Sequence, residues 1–402
     1  MTNPYISKDF IHQGCGLIIN PEIVWQKISY SVRNKINKAI NNNVIVKRLS
    51  GSKEDLQILR QLWYNPNDPN LPELLTKDDY MFIAYLDEEP VGVIVLLPVL
   101  NHLFLNNLAS SQLGKKYGVQ DYLLWYSVNY LEKSNYKYID VGVSYRKSLY
   151  EFFSKWAVFH YPVIFNKPEI LRPIFLKPFK NYDEIIIDFQ KIEATEKMLF
   201  EVFDTEEITF VPNVEIAKNI IINYNQEPKN ITNTLVNNDK NQYFYVDLTD
   251  IFSTQFGALI INLKIDDKDL WNVHKSFDYY KRNLVYSQIY NELSDLEKIL
   301  ELKQNNYNIF KKYFEIDGIQ SINNQDKIKI TFNFISTLNQ KFNQKLIEFQ
   351  VEHLYDEKSN IIQLPVHQNL TKYEIDLIYG IFRGVLNLCS EWVYTGVNPN
   401  YK

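Results

Sequence analysis

The sequence predicts an α/β (α+β) protein, with a mixed sheet and flanking helices followed by a smaller α+β domain. Three observations support this. The chain has 402 residues, more than the roughly 100–200 of one average domain. Apolar runs of strand length alternate with helical patterns through the first half. Prolines between 162 and 178 and an acidic, weakly periodic stretch then interrupt the pattern. We therefore predict domains over 1–195 and 205–402, divided within 190–212.

The first half alternates strands with helices. Two apolar runs separated by a turn sequence at 87–90 predict an antiparallel hairpin, and leucines and a valine repeating at helical spacing predict a helix from Val119 to Lys133. The predicted strands are Val44–Leu49, Tyr80–Leu86, Val91–Leu97, Phe104–Leu108, Tyr138–Val143 and Val158–Phe165. The predicted helices are Glu54–Trp63, Val119–Lys133 and one with an apolar stripe from Leu149 to Trp156.

The second half shows fewer strands and longer helices. Apolar residues at helical spacing predict one long helix over Arg282–Tyr313. The remaining predicted elements are strands at Tyr243–Leu248, Ala258–Leu263, Lys327–Ile335 and Ile361–Leu364, and helices at Asn339–Glu352 and Thr371–Leu388.

Composition excludes several classes of protein. The net charge of −5 gives no general attraction to nucleic acid or anionic membranes, and no apolar run reaches the ~18–20 residues of a membrane span. Cys15 and Cys389 have neither zinc nor disulfide-framework spacing, which favours a reducing cytoplasm. The six histidines are scattered, so no metal site is predicted. The glycines form no dinucleotide-binding or Walker-type motif.

One segment has the features of a phosphate site. Residues 106–120 lead from a strand through two lysines and two glycines into a predicted helix, and the amides and positive dipole at a helix start bind phosphate. Lys115–Gln120 resembles the pyrophosphate loop of the GNAT acyltransferases, with lysine for the usual Arg or Gln and with Gln120 where a small residue is usual. The resemblance implies that acyl-CoA is bound by Leu108, Gly114, Lys115, Lys116, Tyr117, Gly118, Val119 and Gln120.

Further motifs extend the resemblance to about residues 20–190. Ser148–Ala157 resembles the tyrosine-bearing helix of the same superfamily, which implies that Tyr150 protonates the departing CoA thiolate. A phenol suits this role because it stays protonated at neutral pH. Val32–Ala39 and Asp140–Ser144 resemble segments of the Fem-like members. Alternatively, Tyr150 is one half-buried helical tyrosine among 29.

A general base for an acceptor amine is harder to identify. His102 precedes the strand expected beside the thioester, and His160 follows the tyrosine helix. Histidine accepts a proton near neutral pH, so both are candidates. Each is equally compatible with a structural role, and the amine can also lose its proton to water.

The second half resembles another family. Ile361–Asp376 is similar to the Leu-Pro-x-His ending of PLP-dependent nucleotide-sugar aminotransferases, in which His367 would belong to a turn. That family forms a Schiff base through a lysine before a glycine, but no lysine occurs between Asn241 and Leu263. We therefore predict a truncated aminotransferase-like domain without PLP.

The two resemblances together suggest an N-acyltransferase that moves an acyl group from acyl-CoA to the amino group of a dTDP- or UDP-linked deoxyamino sugar, for surface polysaccharide such as lipopolysaccharide O-antigen. This rests on analogy between folds. The expected partners are these two substrates and a second copy in a homodimer, without nucleic acid or membrane. Two alternatives are a Fem-like aminoacyl transferase and a non-enzymatic partner or regulator of a sugar aminotransferase.

Overall fold

The structure is a computed structural model, and its description covers the following residues: 12–49, 52–62, 80–143, 151–156, 158–167, 172–177, 189–203, 205, 207–211, 214–223, 229–230, 244–252, 258–262, 279–322 and 331–389. Within them the predicted fold class is confirmed. A mixed, mostly antiparallel sheet with flanking helices is followed by two smaller sheets.

The first part of the chain builds a seven-stranded sheet in the order β2-β3-β4-β5-β6-β1-β7. Its strands are β1 (His12–Ile18), β2 (Ile45–Arg48), β3 (Tyr80–Leu86), β4 (Glu89–Val99), β5 (His102–Ser110), β6 (Tyr138–Val143) and β7 (Val158–Val163). Its helices are α1 (Pro21–Lys27), α2 (Tyr30–Asn41), α3 (Lys53–Leu62), α4 (Gln112–Tyr117) and α5 (Val119–Leu131).

Apolar side chains cover both faces of this sheet. The α5 and α2 face packs residues such as Val32, Leu123 and Val128 against the strands. Leu59 of α3 packs with Ile83 on the other face. The predicted hairpin is confirmed, since β3 and β4 pair antiparallel. Strand β4 is buried along most of its length, which explains its uninterrupted apolar sequence.

The second part contains two smaller units. The first has a four-stranded sheet, and the second a three-stranded sheet in the order β12-β14-β13. The strands are β8 (Ile208–Val211), β9 (Lys229–Asn230), β10 (Phe244–Asp247), β11 (Ala258–Ile261), β12 (Phe332–Ile335), β13 (Leu354–Asp356) and β14 (Ile361–Leu364). The helices are α6 (Phe189–Phe203), α7 (Val214–Asn223), α8 (Leu248–Ile251), α9 (Tyr279–Ser294), α10 (Leu296–Ile316), α11 (Asn339–Glu348) and α12 (Lys372–Cys389).

Two features of this part differ from the sequence-based prediction. The single long helix predicted over Arg282–Tyr313 is two helices, α9 and α10, separated at Asp295. The acidic stretch near the predicted boundary contains the fifteen-residue helix α6, which packs on α9. Its buried Ile192, Leu199 and Phe203 have helical spacing, which the weak overall periodicity of the stretch obscured. The division within 190–212 stays a prediction.

The end of the chain packs against its beginning. Tyr161 and Val163 of β7 share one hydrophobic core with α10, α11 and α12. The Ile164 N–H donates to the carbonyl of Gly380 in α12 at 2.9 Å. Helix α12 therefore covers the β7 edge of the seven-stranded sheet.

Candidate functional site

Strands β5 and β6 are parallel neighbours that soon separate. Their register contains two residue pairs, Leu103 with Ile139 and Phe104 with Asp140. Strand β5 continues to Ser110, still paired with β4. Beyond the second pair, no strand among the described residues pairs with the β6-facing edge of β5 along residues 105–110, and this gap between β5 and β6 is called the opening below.

A bulge turns β6 away at this point. In the register with β1, Gly16 faces Asp140 and Cys15 faces Gly142, so Val141 is an extra residue. Gly142 has φ +71°, a left-handed conformation that glycine adopts without strain. Its N–H donates to the Asp140 carboxylate at 2.8 Å. Asp140 therefore satisfies a main-chain group at the place where the strands part.

Strand β5 has a bulge beside the same opening. Leu105 pairs with Leu96 and Asn107 with Val95, which leaves Asn106 without an opposite residue. Among the residues that the structure describes, the buried Asn106 Nδ2 has no hydrogen-bond partner. Bulges commonly redirect side chains near functional sites.

A cavity of about 210 Å³ lies at the start of α5. It is lined by Lys35, Lys115, Gly118, Gln120, Asp121 and Phe152. Three of these belong to the predicted acyl-CoA segment. The Gln120 Nε2 donates to the carbonyl of Leu108 at 3.5 Å, so the cavity end of the segment also meets the open edge of β5.

The predicted phosphate loop is largely helical. The Ser111 hydroxyl caps α4 by accepting the Gly114 N–H at 3.1 Å, and Gly118 ends that helix with φ +75°. The amides of Gly114, Lys115 and Gly118 already donate to protein acceptors. The Val119, Gln120 and Asp121 amides lie in the first turn of α5, where a helix offers no intrahelical acceptor. These three amides, rather than the whole loop, are the ones that the helix leaves without an acceptor.

The cavity is cationic apart from one buried acid. The Lys35 Nζ lies 3.2 Å from the Asp121 carboxylate, with 48% of the lysine side chain exposed and 4% of the aspartate. Burial raises the pKa of Asp121, while Lys35 opposes that shift. Lys35 and the exposed Lys115 thus place positive charge at a helix start, an arrangement that favours an anionic ligand.

The closed end of the opening holds a buried ionic cluster. Arg383 of α12 contacts the carboxylates of Asp140 and Asp317, and all three side chains are fully buried or nearly so. Burial raises the pKa of Asp140 despite the neighbouring guanidinium. The hydroxyl of Tyr161 donates to Asp140, and the hydroxyls of Tyr138 and Tyr379 donate to Asp317.

His102 belongs to this cluster. Its ring stacks on Tyr138 with centroids 4.7 Å apart, and its side chain is 1% exposed. The Nε2 lies 3.7 Å from Asp140, too far for a hydrogen bond. Burial and then Arg383 hold the pKa of His102 well below its usual range. The structure therefore places the His102 imidazole inside the protein, where burial disfavours its charged form, and its role as a base stays a prediction.

The other two predicted catalytic residues, His160 and Tyr150, and the motif residue His367 are not part of this cluster. His160 is an exposed β7 residue whose Nδ1 lies 3.7 Å from the buried Cys15 Sγ, and desolvation lowers its pKa. Tyr150 lies outside the described residues, although Phe152, two positions later, lines the cavity. His367 contacts the Phe175 carbonyl at 3.2 Å, and burial lowers its pKa to about 4.

Sequence reasoning missed Lys35, Asp121 and the Arg383 cluster. Lys35 stands in the quoted Val32–Ala39 motif, but the motif itself says nothing of a contact with α5. Asp140 precedes Gly142 in the other Fem-like motif, and the Asp-x-Gly pattern was the available signal for a bulge. The partners of Asp140 follow only from the packing of α12.

The described residues contain no group of three or more His, Cys, Asp or Glu side chains arranged to hold a metal ion. No helix described here has both the length and the apolar character needed to cross a membrane.

Comparisons with known proteins give partial likenesses. No protein-family model and no curated protein matches the chain. Among solved structures, FemX is 12% identical at a TM-score of 0.32, over 40% of this chain and 62% of its own. A protein described as a sugar aminotransferase, from Streptococcus pneumoniae in its PMP form, is 10% identical at 0.35, over 51% of this chain and 94% of its own.

A third similar structure is an aminoglycoside acetyltransferase from an uncultured soil metagenomic sample, in complex with trehalose. It is 18% identical at a TM-score of 0.25, over 29% of this chain and 88% of its own. The chain covers less than two thirds of FemX and half of an aminotransferase from Brucella abortus. Likenesses this partial carry no argument about function.

Proposed function

We propose that the chain is an acyl-CoA-dependent N-acyltransferase. One observation carries the proposal: β5 and β6 separate after two residue pairs, and the opening leads to a cationic cavity at the start of α5. An open strand edge offers backbone groups to an extended ligand with amide bonds, and the α5 start offers amides and positive charge to phosphate. Pantetheine linked to a pyrophosphate has both chemical features.

The proposed acceptor is the amino group of a dTDP- or UDP-linked deoxyamino sugar used in surface polysaccharide, as for lipopolysaccharide O-antigen. Its support is the sequence resemblance of Ile361–Asp376 to nucleotide-sugar aminotransferases. The lysine-free stretch from Asn241 to Leu263 supports a second half that works without PLP. We further propose a cytoplasmic homodimer, divided into the two domains predicted from the sequence.

The proposed reaction is a single acyl transfer. The acceptor nitrogen attacks the thioester carbonyl carbon, the C–N bond forms and the C–S bond breaks. The proton lost by the amine is balanced by the proton gained by the thiolate, giving an amide and CoA. Tyr150 is the proposed acid, through the family resemblance. His102 and His160 are the proposed candidates for accepting the amine proton. His102 lies beside the opening but is buried, and His160 is exposed but lies two strands beyond β6 in the sheet.

Thiol release tests the function directly. The full chain is assayed across a series of acyl-CoAs with dTDP- and UDP-linked amino sugars, and the matching sugars that carry a hydroxyl instead of the amine serve as controls. We expect CoA release only with an amino sugar, and a higher melting temperature with CoA, since a ligand of the native state stabilises it. The absence of both turnover and stabilisation would contradict the proposal. It would favour a non-enzymatic partner of a sugar aminotransferase.

A further inference from the structure

The strongest unexplained group beside the opening is the Asn106 side chain. Its Nδ2 is buried and makes no hydrogen bond within the described part of the chain. An unsatisfied buried amide donor destabilises the folded state, because it has lost its hydrogen bonds to water without replacement. Native proteins keep few such groups, and each calls for an explanation.

The position of Asn106 is set by the backbone. The last shared pair of β5 and β6 ends at Phe104, and Asn106 is the bulge residue just beyond it. Leu103 and Leu105 face the α5 side of the sheet, and the next β5 residue to contact that core is Leu108, three positions after Leu105. A regular strand would return to this face after two residues. The bulge therefore changes the direction of the side chains at the closed end of the opening.

The order of groups along β5 matches the order of groups in an acyl thioester donor. Ser111 and the α4–α5 junction lie at the cavity end, and Leu108 presents its carbonyl to Gln120. Asn106 lies two residues nearer the closed end, or about 7 Å along the strand. A donor with its phosphates at α5 and its amides along β5 thus brings its reacting end toward Asn106.

We propose that Asn106 is a catalytic residue whose Nδ2–H donates a hydrogen bond to the thioester carbonyl oxygen. This inference rests on the proposed acyltransferase function. When the acceptor nitrogen adds to the carbonyl carbon, the electron pair of the C=O bond moves to oxygen, and the amide N–H stabilises that negative charge. The charge returns as the C–S bond breaks, so Asn106 gains and loses no proton. Such a donor stabilises the transition state more than the ground state.

The test compares Asn106→Leu with Asn333→Leu. Both are half-buried strand asparagines, but Asn333 lies on β12, where it pairs with Gln363 of β14, and has no part in the proposed ligand edge. We expect Asn106→Leu to lower kcat by about 10²–10³-fold, the usual effect of removing one oxyanion donor, with the Kd of CoA within twofold of wild type. Asn333→Leu should stay within threefold in kcat. Asn106→Asp, of nearly equal volume and without the donor, repeats the comparison if the leucine variant folds poorly.

A spectroscopic readout needs no acceptor. Acetyl-CoA labelled with ¹³C at the carbonyl should show a lower C=O stretching frequency when bound to wild type or Asn333→Leu than the same labelled compound free in solution. The lowering should be smaller when it is bound to Asn106→Leu. Equal frequencies and equal kcat in both variants, with acetyl-CoA bound and turned over, would overturn the role of Asn106 alone. Failure of the wild type to bind either CoA or acetyl-CoA would overturn the acyltransferase function and this inference with it.

Discussion

Two ion pairs, each made of a cationic and an anionic side chain, flank the opening between β5 and β6, and their surroundings differ. Lys35 and Asp121 meet at the cavity, with the lysine about half exposed. Arg383 and Asp140 meet at the closed end, with both side chains 0% exposed. Water reaches the lysine of the first pair but not its buried aspartate, so Lys35 can contact a ligand while it stays beside Asp121. The second pair has lost its hydration, so neither partner can be removed without leaving a buried charge.

Removing the arginine of the buried pair should give the largest change, a loss of free energy of unfolding. We expect Arg383→Met to lower the free energy of unfolding by about 3–5 kcal/mol, because it leaves Asp140 and Asp317 buried without their cation. Denaturant unfolding measures the change. Arg48→Met is the matched control, since Arg48 stacks on the rings of Tyr80 and Tyr130 at the surface. A loss below about 1 kcal/mol for Arg383→Met would remove the distinction between the two pairs.

The pH dependence of the free energy of unfolding tests the buried environment of His102, next to the second pair. The pKa of His102 is lowered in the folded state. Below about pH 6.5 the unfolded chain therefore binds a proton at this residue that the folded protein does not bind. Stability from this group is present above that pH and is lost as the pH falls. Unfolding curves between pH 7 and 5 should be less pH-dependent in His102→Gln than in wild type. If His102→Gln instead lowers turnover by about 10²-fold and leaves the pH dependence of stability unchanged, His102 has the role of a base.

The exposed pair should respond to salt. Lys35→Met and Lys115→Met should each weaken CoA binding by about fivefold, since a unit charge 4 Å away contributes about 1 kcal/mol in a water-like environment. Titrations at 20 and 300 mM salt should show the difference shrinking as screening increases. Lys345→Met, which removes the surface pair with Glu348 on α11, is the control. Equal Kd values in wild type and the three variants would show that the anion does not bind at the start of α5.

Gln120 should give the smallest effect. Its long contact with the Leu108 carbonyl, 3.5 Å, is a weak hydrogen bond. Gln120→Ala frees this carbonyl for an amide of the ligand, so we expect acyl-CoA to bind up to about threefold tighter by calorimetry. Gln112→Ala, an exposed change on α4, should leave affinity unchanged. Weaker binding in Gln120→Ala would show that the side chain contacts the ligand itself.

The sequence predicted local structure better than it predicted these pairs. Strands such as Tyr80–Leu86, Tyr138–Val143 and Ile361–Leu364 have the predicted bounds, because short apolar runs report burial directly. Strand β1 was missed, since two glycines and a cysteine among its seven residues hide the alternation. Helix α4 was missed because a six-residue helix shows little periodicity, although Ser111 is a good cap.

The candidate site was predictable only where its residues are close together in the sequence. Lysines and glycines near the start of α5 are close in sequence, so their pattern could be recognised. Arg383 and Asp140 are 243 positions apart, and each has the appearance of a surface charge when read alone. Only the docking of α12 on β7 shows that they meet. The unpaired position of Asn106 likewise depends on a register that no local pattern specifies.

The long separation between Arg383 and Asp140 also affects how the protein is made. The strands of the first sheet leave the ribosome well before α12 exists, and at about 5–20 residues per second the missing arginine follows Asp140 by roughly 10–50 s. During that interval Asp140 has no guanidinium to balance it and the β7 edge has no helix to cover it. The nascent sheet must therefore stay partly hydrated, or be held by a chaperone, until α12 has been synthesised.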